Sequence, residues 1–407
     1  MRSILSAKGR PVAPVRWEVA VDAIKRTTQI LFQLCFVFLL LMQKTYAGGK
    51  YSVKFLFNLF GQLGDEGKQV YDDSGNQNLA VFEPMIFVEH WIDEKTNVNA
   101  QFVFDVWTAA SDTRLDGNSG ASGGGVTGQT RTAGKLAYGH KEKSHAWSTN
   151  LGISNEYDYR SLNFGGNFTQ NFAQDNFFLS LSPQLFLDQA ASYDVERSDT
   201  NKFKIRKIYS LDLSGSQFLS DSDVLNVGYT YIGMQGMLNN IANTVKVLDN
   251  TTDRFSRTGE RLPSSRNRHA AYAKYVHAFS DETALYLNYR YYTDDWKVTA
   301  HTYEINPRFS LSEGNQFLMF SYRYYDQKSS QYYADQFATA LPLMTSDSDM
   351  DTLMAHRYGV HFSQISEREK IFNLKIEDLE YTTALYYSQR SNGLKYAIVQ
   401  LAVGTSF

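Results

Sequence analysis

Cysteine is almost missing from this chain: one, Cys35, in 407 residues. A single thiol excludes an intramolecular disulfide and any cysteine-based metal site. Proline is scarce, with 7 residues, so little interrupts extended, hydrogen-bonded backbone. Beyond Gly48 no run is apolar enough to cross a membrane as a helix, which excludes a helical bundle in the bilayer. An excess of positive charge is lacking too. The first 47 residues hold seven of the 40 Lys/Arg and two of the 43 Asp/Glu, so the remainder carries a formal net charge of −8, a balance that argues against a nucleic-acid partner. What the chain has in abundance is aromatic residues: 27 Tyr and 27 Phe.

The first segment reads as an address. Arg2, Lys8, Arg10, Arg16, Lys25 and Arg26 precede the apolar run "ILFQLCFVFLLLM", Ile30 to Met42, and small residues follow at Ala47 to Gly49. This is the order of a secretory signal, and the apolar run is short for a membrane anchor. Cys35 lies inside that run without the small residues of a lipoprotein site before it. The expected organisation is a signal peptide, residues 1–47, and one barrel domain, residues 48–407.

After Gly48 the hydropathy alternates with period two. "YSVKFLFNLF" places Tyr51, Val53, Phe55, Phe57 and Leu59 on one face and Ser52, Lys54 and Asn58 on the other. "SLNFGGNFTQ" and "LNVGYTYIG" divide in the same way. One apolar face rich in Tyr and Phe is the pattern of membrane-barrel strands with interfacial girdles. The chain ends "LKYAIVQLAVGTSF", with Val399, Leu401, Val403 and Thr405 sharing the face of Phe407. A closing strand with a terminal Phe resembles the assembly signal of Gram-negative outer-membrane barrels, which implies the cell's barrel assembly machinery as a partner during biogenesis.

Counting back from Phe407, the segments "SEGN", "SDE", "LSDSD", "AQDN", "KEK" and "DEK" all fall on the periplasmic side. The long stretches Gly61–Asn78, Ala109–Thr130, Gln189–Lys202, Gln235–Arg266 and Asp326–Leu353 all fall outside. The reading is an all-β, transmembrane, antiparallel up-and-down barrel of about 16 strands (14–16). "KLAYGH" is its least regular strand.

Two stretches then need an explanation: "LNYRYYTDDW", Leu287 to Trp296, and "FSYRYYDQKS", Phe320 to Ser329. Alternation sends Leu285, Leu287, Tyr289 and Tyr291 to lipid, and Asn288 and Arg290 to the lumen. It likewise sends Leu318, Phe320, Tyr322 and Tyr324 outward and Ser321 and Arg323 inward. An arginine on the lipid face at mid-bilayer would cost roughly 2–4 kcal/mol. The "SEGN" turn sets Glu304 opposite Arg323, and the preceding hairpin sets it near Asn288 and diagonal to Arg290. An inward Arg290–Glu304–Arg323 cluster is expected, extended by Arg308. It is either a pore lining or a structural ladder that fixes register. Glu83, Glu89 and Asp105, with Lys54 beside them, and Arg357 and Lys274 on the basic side, predict a lumen with one acidic and one basic wall.

The run "RYYTDDW…HT…R…RYYDQKSSQYY" resembles a domain-of-unknown-function family of Gram-negative outer-membrane barrels with paired Arg-Tyr-Tyr motifs. The matching positions are Arg290, Tyr291, Tyr292, Asp294, Trp296, His301, Thr302, Arg323, Tyr324, Tyr325, Gln327, Tyr332 and Tyr333. "DVWTAAS", Asp105 to Ser111, is similar to the family's Asp-x-x-Thr-Gly-Ala-Ser, with Ala109 in place of the glycine. Lys297 stands where the family has a glycine after the Trp. The resemblance covers the last third of the chain best and implies a barrel of this size with no assigned activity.

Other patterns lead elsewhere. Asp347, Asp349 and Asp351 in "SDSDMD" have Ca²⁺-ligand spacing but lack the Gly and distal Glu of an EF-hand, so they read as a solvated acidic loop. "DDSGNQNLAVFE" reads the same way. "SGASGGGVTG" lacks the Lys-Ser/Thr ending of a phosphate cradle. His301, His356 and His361 assemble no Ser-His-acid constellation. No enzyme activity, metal or cofactor is expected. The functional expectation is a narrow or gated pore for small, anionic solutes in the outer membrane of a Gram-negative bacterium, surrounded by outer-membrane lipid. The alternative is a non-conducting scaffold barrel with lipoprotein or periplasmic partners.

Overall fold

A computed structural model describes residues 50–64, 78–107, 129–156, 159–194, 199–240, 243–249, 252–367 and 376–406. Residues 1–49, the "SGASGGGVTG" loop, the "DVWTAAS" residues after Trp107, and Phe407 lie outside the described residues.

Period-two alternation over ten or more residues becomes long strands. They are β1 (Lys50–Leu63), β2 (Leu79–Trp91), β3 (Thr96–Trp107), β4 (Gln129–Lys141), β5 (His145–Asn155), β6 (Tyr159–Phe172), β7 (Phe177–Asp194), β8 (Asp199–Phe218) and β9 (Asp223–Gly236). Two short strands follow, β10 (Thr244–Asp249) and β11 (Arg254–Gly259). Then come β12 (Ser265–Ala278), β13 (Thr283–Asp294), β14 (Thr299–Leu311), β15 (Gln316–Lys328), the two-residue β16 (Gln336–Phe337), β17 (Leu353–Glu367), β18 (Asp378–Arg390) and β19 (Lys395–Ser406).

Sixteen of these form one closed antiparallel barrel, each paired with the next in sequence, and β1 closes on β19 from Ser52↔Ser406 to Leu63↔Lys395. Closure leaves no unpaired edge, which backbone polar groups in lipid require. "KLAYGH" is part of β4 and pairs on both sides. The short connections 92–95, 142–144, 173–176, 219–222, 279–282 and 312–315 share one end of the barrel. β7 and β8 are the longest strands, at 18 and 20 residues, and run beyond their neighbours at the other end.

The apolar residues lie on the outside. Phe102, Leu136, Ile153, Leu211, Tyr358 and Leu385 are all exposed large side chains of the outer face. In water that surface would associate or precipitate; in a bilayer it is the solvent-matched face. The buried apolar cluster is elsewhere. Val245, Val247 and Phe337 of the three-stranded sheet β11–β10–β16 pack together with Met344. That sheet is built from the two long connections 237–264 and 329–352, both at the end opposite the short turns. These loops fold into a cap with its own small core.

Candidate functional site

The lumen wall of β13, β14, β15 and β17 carries the charged residues. Leu287, Tyr289, Tyr303, Ile305, Phe320 and Tyr358 are exposed on the outer face, which turns Asn288, Arg290, Glu304, Arg308, Arg323 and Arg357 inward. Register brings four of them into one row: Asn288↔Glu304, Glu304↔Arg323 and Arg323↔Arg357. The ion pair that forms is a different one from that expected. Glu304 Oε2 faces Arg357 Nη2 at 3.7 Å, two strands away, and Glu304 Oε1 accepts from Asn306 at 3.2 Å. Among the described residues neither Arg290 nor Arg323 is ion-paired. Arg308 also departs from the cluster. Its guanidinium lies 4.0 Å from the Phe317 ring centroid and donates to Tyr286 Oη at 3.2 Å.

Between this row and the cap is a cavity of about 310 Å³. Arg323, Arg357 and Arg390 line it with Tyr325, Tyr396, Gln327 and Ser388. The carboxylate in its lining, Asp349, is held by Arg390 at 2.7 Å. With Glu304 turned to Arg357, Arg323 faces the cavity without an ion pair of its own among the described residues.

The opposite wall is less acidic than expected. Asp105 and Glu83 are bridged by Arg131 of β4, at 2.6 and 3.7 Å. Glu89 accepts from Asn97 at 2.7 Å, and Glu83 from Asn58 at 2.7 Å. Lys54 reaches across the barrel closure to Glu380 at 3.2 Å, instead of lying among these acids. Arg131 and Glu380 were not singled out from the sequence because strand register brings them together.

The family-motif residues do structural work at the rim. Asp294 accepts two bonds from Arg266, one from Tyr292 Oη at 2.7 Å and one from the Val298 amide at 3.0 Å. Trp296 is 2 % exposed, donates Nε1–H to the Ser265 carbonyl at 3.0 Å, and has the Arg266 guanidinium 4.3 Å from its ring centroid. Its own carbonyl accepts from Ser330 Oγ and the Gln331 amide, and Tyr332 packs edge-on against its ring. Gln327 donates to the carbonyls of Asp349 and Asp351 and accepts from Tyr325 Oη. These contacts fasten the cap to the barrel mouth. Thr302 sits opposite Arg290 in the β13–β14 register.

His301 and Tyr324 share the outer face, away from the lumen, and belong to a repeat that the sequence did not disclose. Tyr229, Tyr289 and Tyr322 each share a hydrogen bond with a histidine Nδ1 on the next strand: His269 at 2.6 Å, His301 at 2.9 Å and His356 at 2.9 Å. A second tyrosine, two residues further along the first strand, flanks each imidazole: Tyr231, Tyr291 and Tyr324. Each histidine lies nine to eleven residues from the short-turn end of its strand, at the upper boundary of the apolar band. His301 and His356 are therefore girdle residues, while His361 opposes Met319 on the inward face; the three histidines do not converge.

Fold, lumen and motif identify the class of protein: a transmembrane, sixteen-stranded β-barrel of the outer-membrane kind. The chain belongs to the family described as "Protein of unknown function (DUF3570)", which matches residues 124–398. No curated protein matches the sequence. Among solved structures it is similar to the outer membrane protein OpdK from Pseudomonas aeruginosa, with 8 % identity, TM-score 0.43, and 88 % of this chain and 98 % of that chain covered. It is also similar to a Pseudomonas aeruginosa FadL homologue (10 % identity, TM-score 0.39, 88 % and 90 % covered) and to Acinetobacter baumannii OccAB4 (7 % identity, TM-score 0.38, 89 % and 99 % covered).

Proposed function

We propose that the protein is a narrow, loop-capped pore for small anionic solutes in the outer membrane of a Gram-negative bacterium. On this reading it is exported with loss of residues 1–47, and the barrel spans 48–407. One observation carries the reading: the cavity beneath the cap is lined by Arg323, Arg357 and Arg390, and the carboxylates near them, Asp349 and Glu304, leave net positive charge. A low-dielectric wall focuses that field and raises the local concentration of anions. Guanidinium groups also bind carboxylate or phosphate bidentately, while Tyr325, Tyr396 and Gln327 supply hydrogen bonds and a ring face.

Passage through such a site requires weak binding, so a solute enters the cap region, exchanges water for arginine, and leaves towards the short-turn end. A second reading has support from the pinned rim. The Trp296 and Gln327 contacts that hold the cap suit a closed barrel that works as a scaffold with a lipoprotein or periplasmic partner.

Liposome swelling separates the two. The purified barrel is expected to admit small carboxylates faster than neutral sugars of equal size, and Arg323→Gln with Arg357→Gln is expected to abolish that preference. Vesicles that do not swell with any solute would favour the scaffold.

A further inference from the structure

The outer face of the barrel carries basic residues of its own, away from the lumen. In β6, Phe164 and Phe168 are exposed to the lipid side, so alternation puts Leu162 and Arg160 on that face. Exposed Leu185 and Leu187 likewise carry Gln189 outward in β7, exposed Tyr209 and Leu211 carry Lys207 outward in β8, and exposed Tyr229 carries Gln235 outward in β9. Register ties the four strands together at their loop ends: Arg160↔Gln189, Leu187↔Lys207 and Lys207↔Gln235. All four polar side chains are exposed. Arg160, Gln189 and Gln235 stand 12 residues from the short-turn ends of their strands, at Phe172, Phe177 and Asp223, and Lys207 stands 11 from Phe218. At roughly 3.3 Å per residue and a tilt of about 40°, that is ~30 Å along the barrel axis, just above an apolar band about 25 Å tall. The four side chains therefore lie at the headgroup level.

Charge at this level is not balanced on β6–β9. Arg160 lays its guanidinium 4.6 Å from the ring centroid of Phe203, on the extension of β8, and a stacked guanidinium keeps its N–H edge for an anion. Among the described residues neither Arg160 nor Lys207 is ion-paired. The carboxylates of these strands turn the other way: on the lumen side Asp188 accepts from Tyr159 Oη, and Asp212 from Thr230 Oγ1 at 2.6 Å. Glu156, before β6, acts on the lumenal Asp105. The sector around β14 and β15 differs. Lys297 and Lys328 are exposed there, but they share the outer face with Asp295 and Asp326, which cancel their charge.

We propose that Arg160 and Lys207 seat the phosphorylated headgroup of an outer-leaflet lipid. Two strand spacings separate them, roughly 10 Å at the backbone, which two long side chains close on one headgroup. Arg160 offers a fork of N–H donors to a phosphate and Lys207 a point charge. Gln189, on the strand between them, and Gln235 add amide donors for further headgroup oxygens. Directly below, Leu162, Leu187 and Tyr209 form an apolar track on the same three strands for the acyl chains. A phosphorylated lipid uses both halves of this surface, whereas a soluble anion leaves the apolar half unused. The inference rests on the barrel spanning a membrane with its loop end outside, and is independent of whether the lumen conducts.

The test is native mass spectrometry of the purified barrel in detergent, with bis-phosphorylated lipid A and its dephosphorylated counterpart added in equal amounts. The wild type is expected to retain the phosphorylated lipid with a preference of about tenfold or more, as two cations near a lipid surface supply. Arg160→Gln combined with Lys207→Gln should remove that preference, and Lys328→Gln, which takes away one cation at a similar level beside Asp326, should leave it unchanged. Heat-modifiable migration in SDS checks that each variant retains its barrel. Equal retention of the two lipids overturns the proposal, as does a preference that survives the double substitution or falls as far with Lys328→Gln. Loss of the preference in excess inorganic phosphate would assign the residues to a soluble anion. A dimer that forms without lipid and that the double substitution dissociates would give the face to a second copy of the chain. Either result also overturns it.

Discussion

Lys297 has a backbone φ of 69°, the left-handed region that favours glycine, and it stands where the family resemblance places one. It follows Trp296 in the tight turn from β13 to β14, where its amide bonds back to the Asp294 carbonyl. A side chain there costs about 1 kcal/mol, which glycine relieves while losing some unfolded-state entropy in exchange. Lys297→Gly is therefore expected to stabilise by at most about 1 kcal/mol, read from the urea midpoint; a clear loss of stability would contradict the turn assignment. The neighbouring Asp294 behaves differently. Its partner Arg266 is buried, so Asp294→Ala leaves a guanidinium without its counter-charge at an expected cost of about 3–5 kcal/mol. Unchanged urea unfolding of that variant would show that the Arg266–Asp294 pair does not hold the rim. Asp294 and Trp296 were legible from the sequence through the motif. Arg266 was not, because it lies 28 residues before Asp294 in the chain and only the β12–β13 pairing brings them together.

At the scale of elements, strand direction and face were legible from alternation, and one turn was enough to fix the Glu304↔Arg323 register. Side-chain choice was not legible. Long arginine side chains reach across more than one strand, so Glu304 closes on Arg357 and not on its directly opposed Arg323. A double-mutant cycle on Glu304 and Arg357 is expected to give a coupling of about 0.5–1 kcal/mol, since both are partly solvated. The same cycle on Glu304 and Arg323 should give a smaller value, and the reverse order would overturn this pairing. The Tyr–His–Tyr groups were hidden for a related reason. Each needs a diagonal between neighbouring strands that no single-strand pattern contains. His301→Phe keeps the ring between Tyr289 and Tyr291 but loses the hydrogen bond, so it should cost no more than about 1 kcal/mol. His301→Asp should block assembly by placing a carboxylate on the lipid face. Folding yield into vesicles measures both.

The molecule as a whole is a barrel with its apolar surface outside and its one apolar cluster, among the described residues, in the cap. The barrel was legible because period-two alternation repeats around its circumference. The cap was not, because β10, β11 and β16 are short and their pairing joins loops some ninety residues apart. A tag inserted at residues 338–343, which are mostly exposed on the cap, should be reachable from outside intact cells, and one beside Gly314 should not. The reverse pattern would invert the topology and the proposed direction of entry.

An occluded, anion-preferring lumen has a direct electrical signature: the reversal potential of single barrels in a planar bilayer under a KCl gradient. A small unit conductance with a reversal potential on the chloride side is expected. That potential should move towards zero when Arg290, Arg323 and Arg357 are replaced by glutamine. A large or cation-selective conductance that the three substitutions leave unchanged would contradict it.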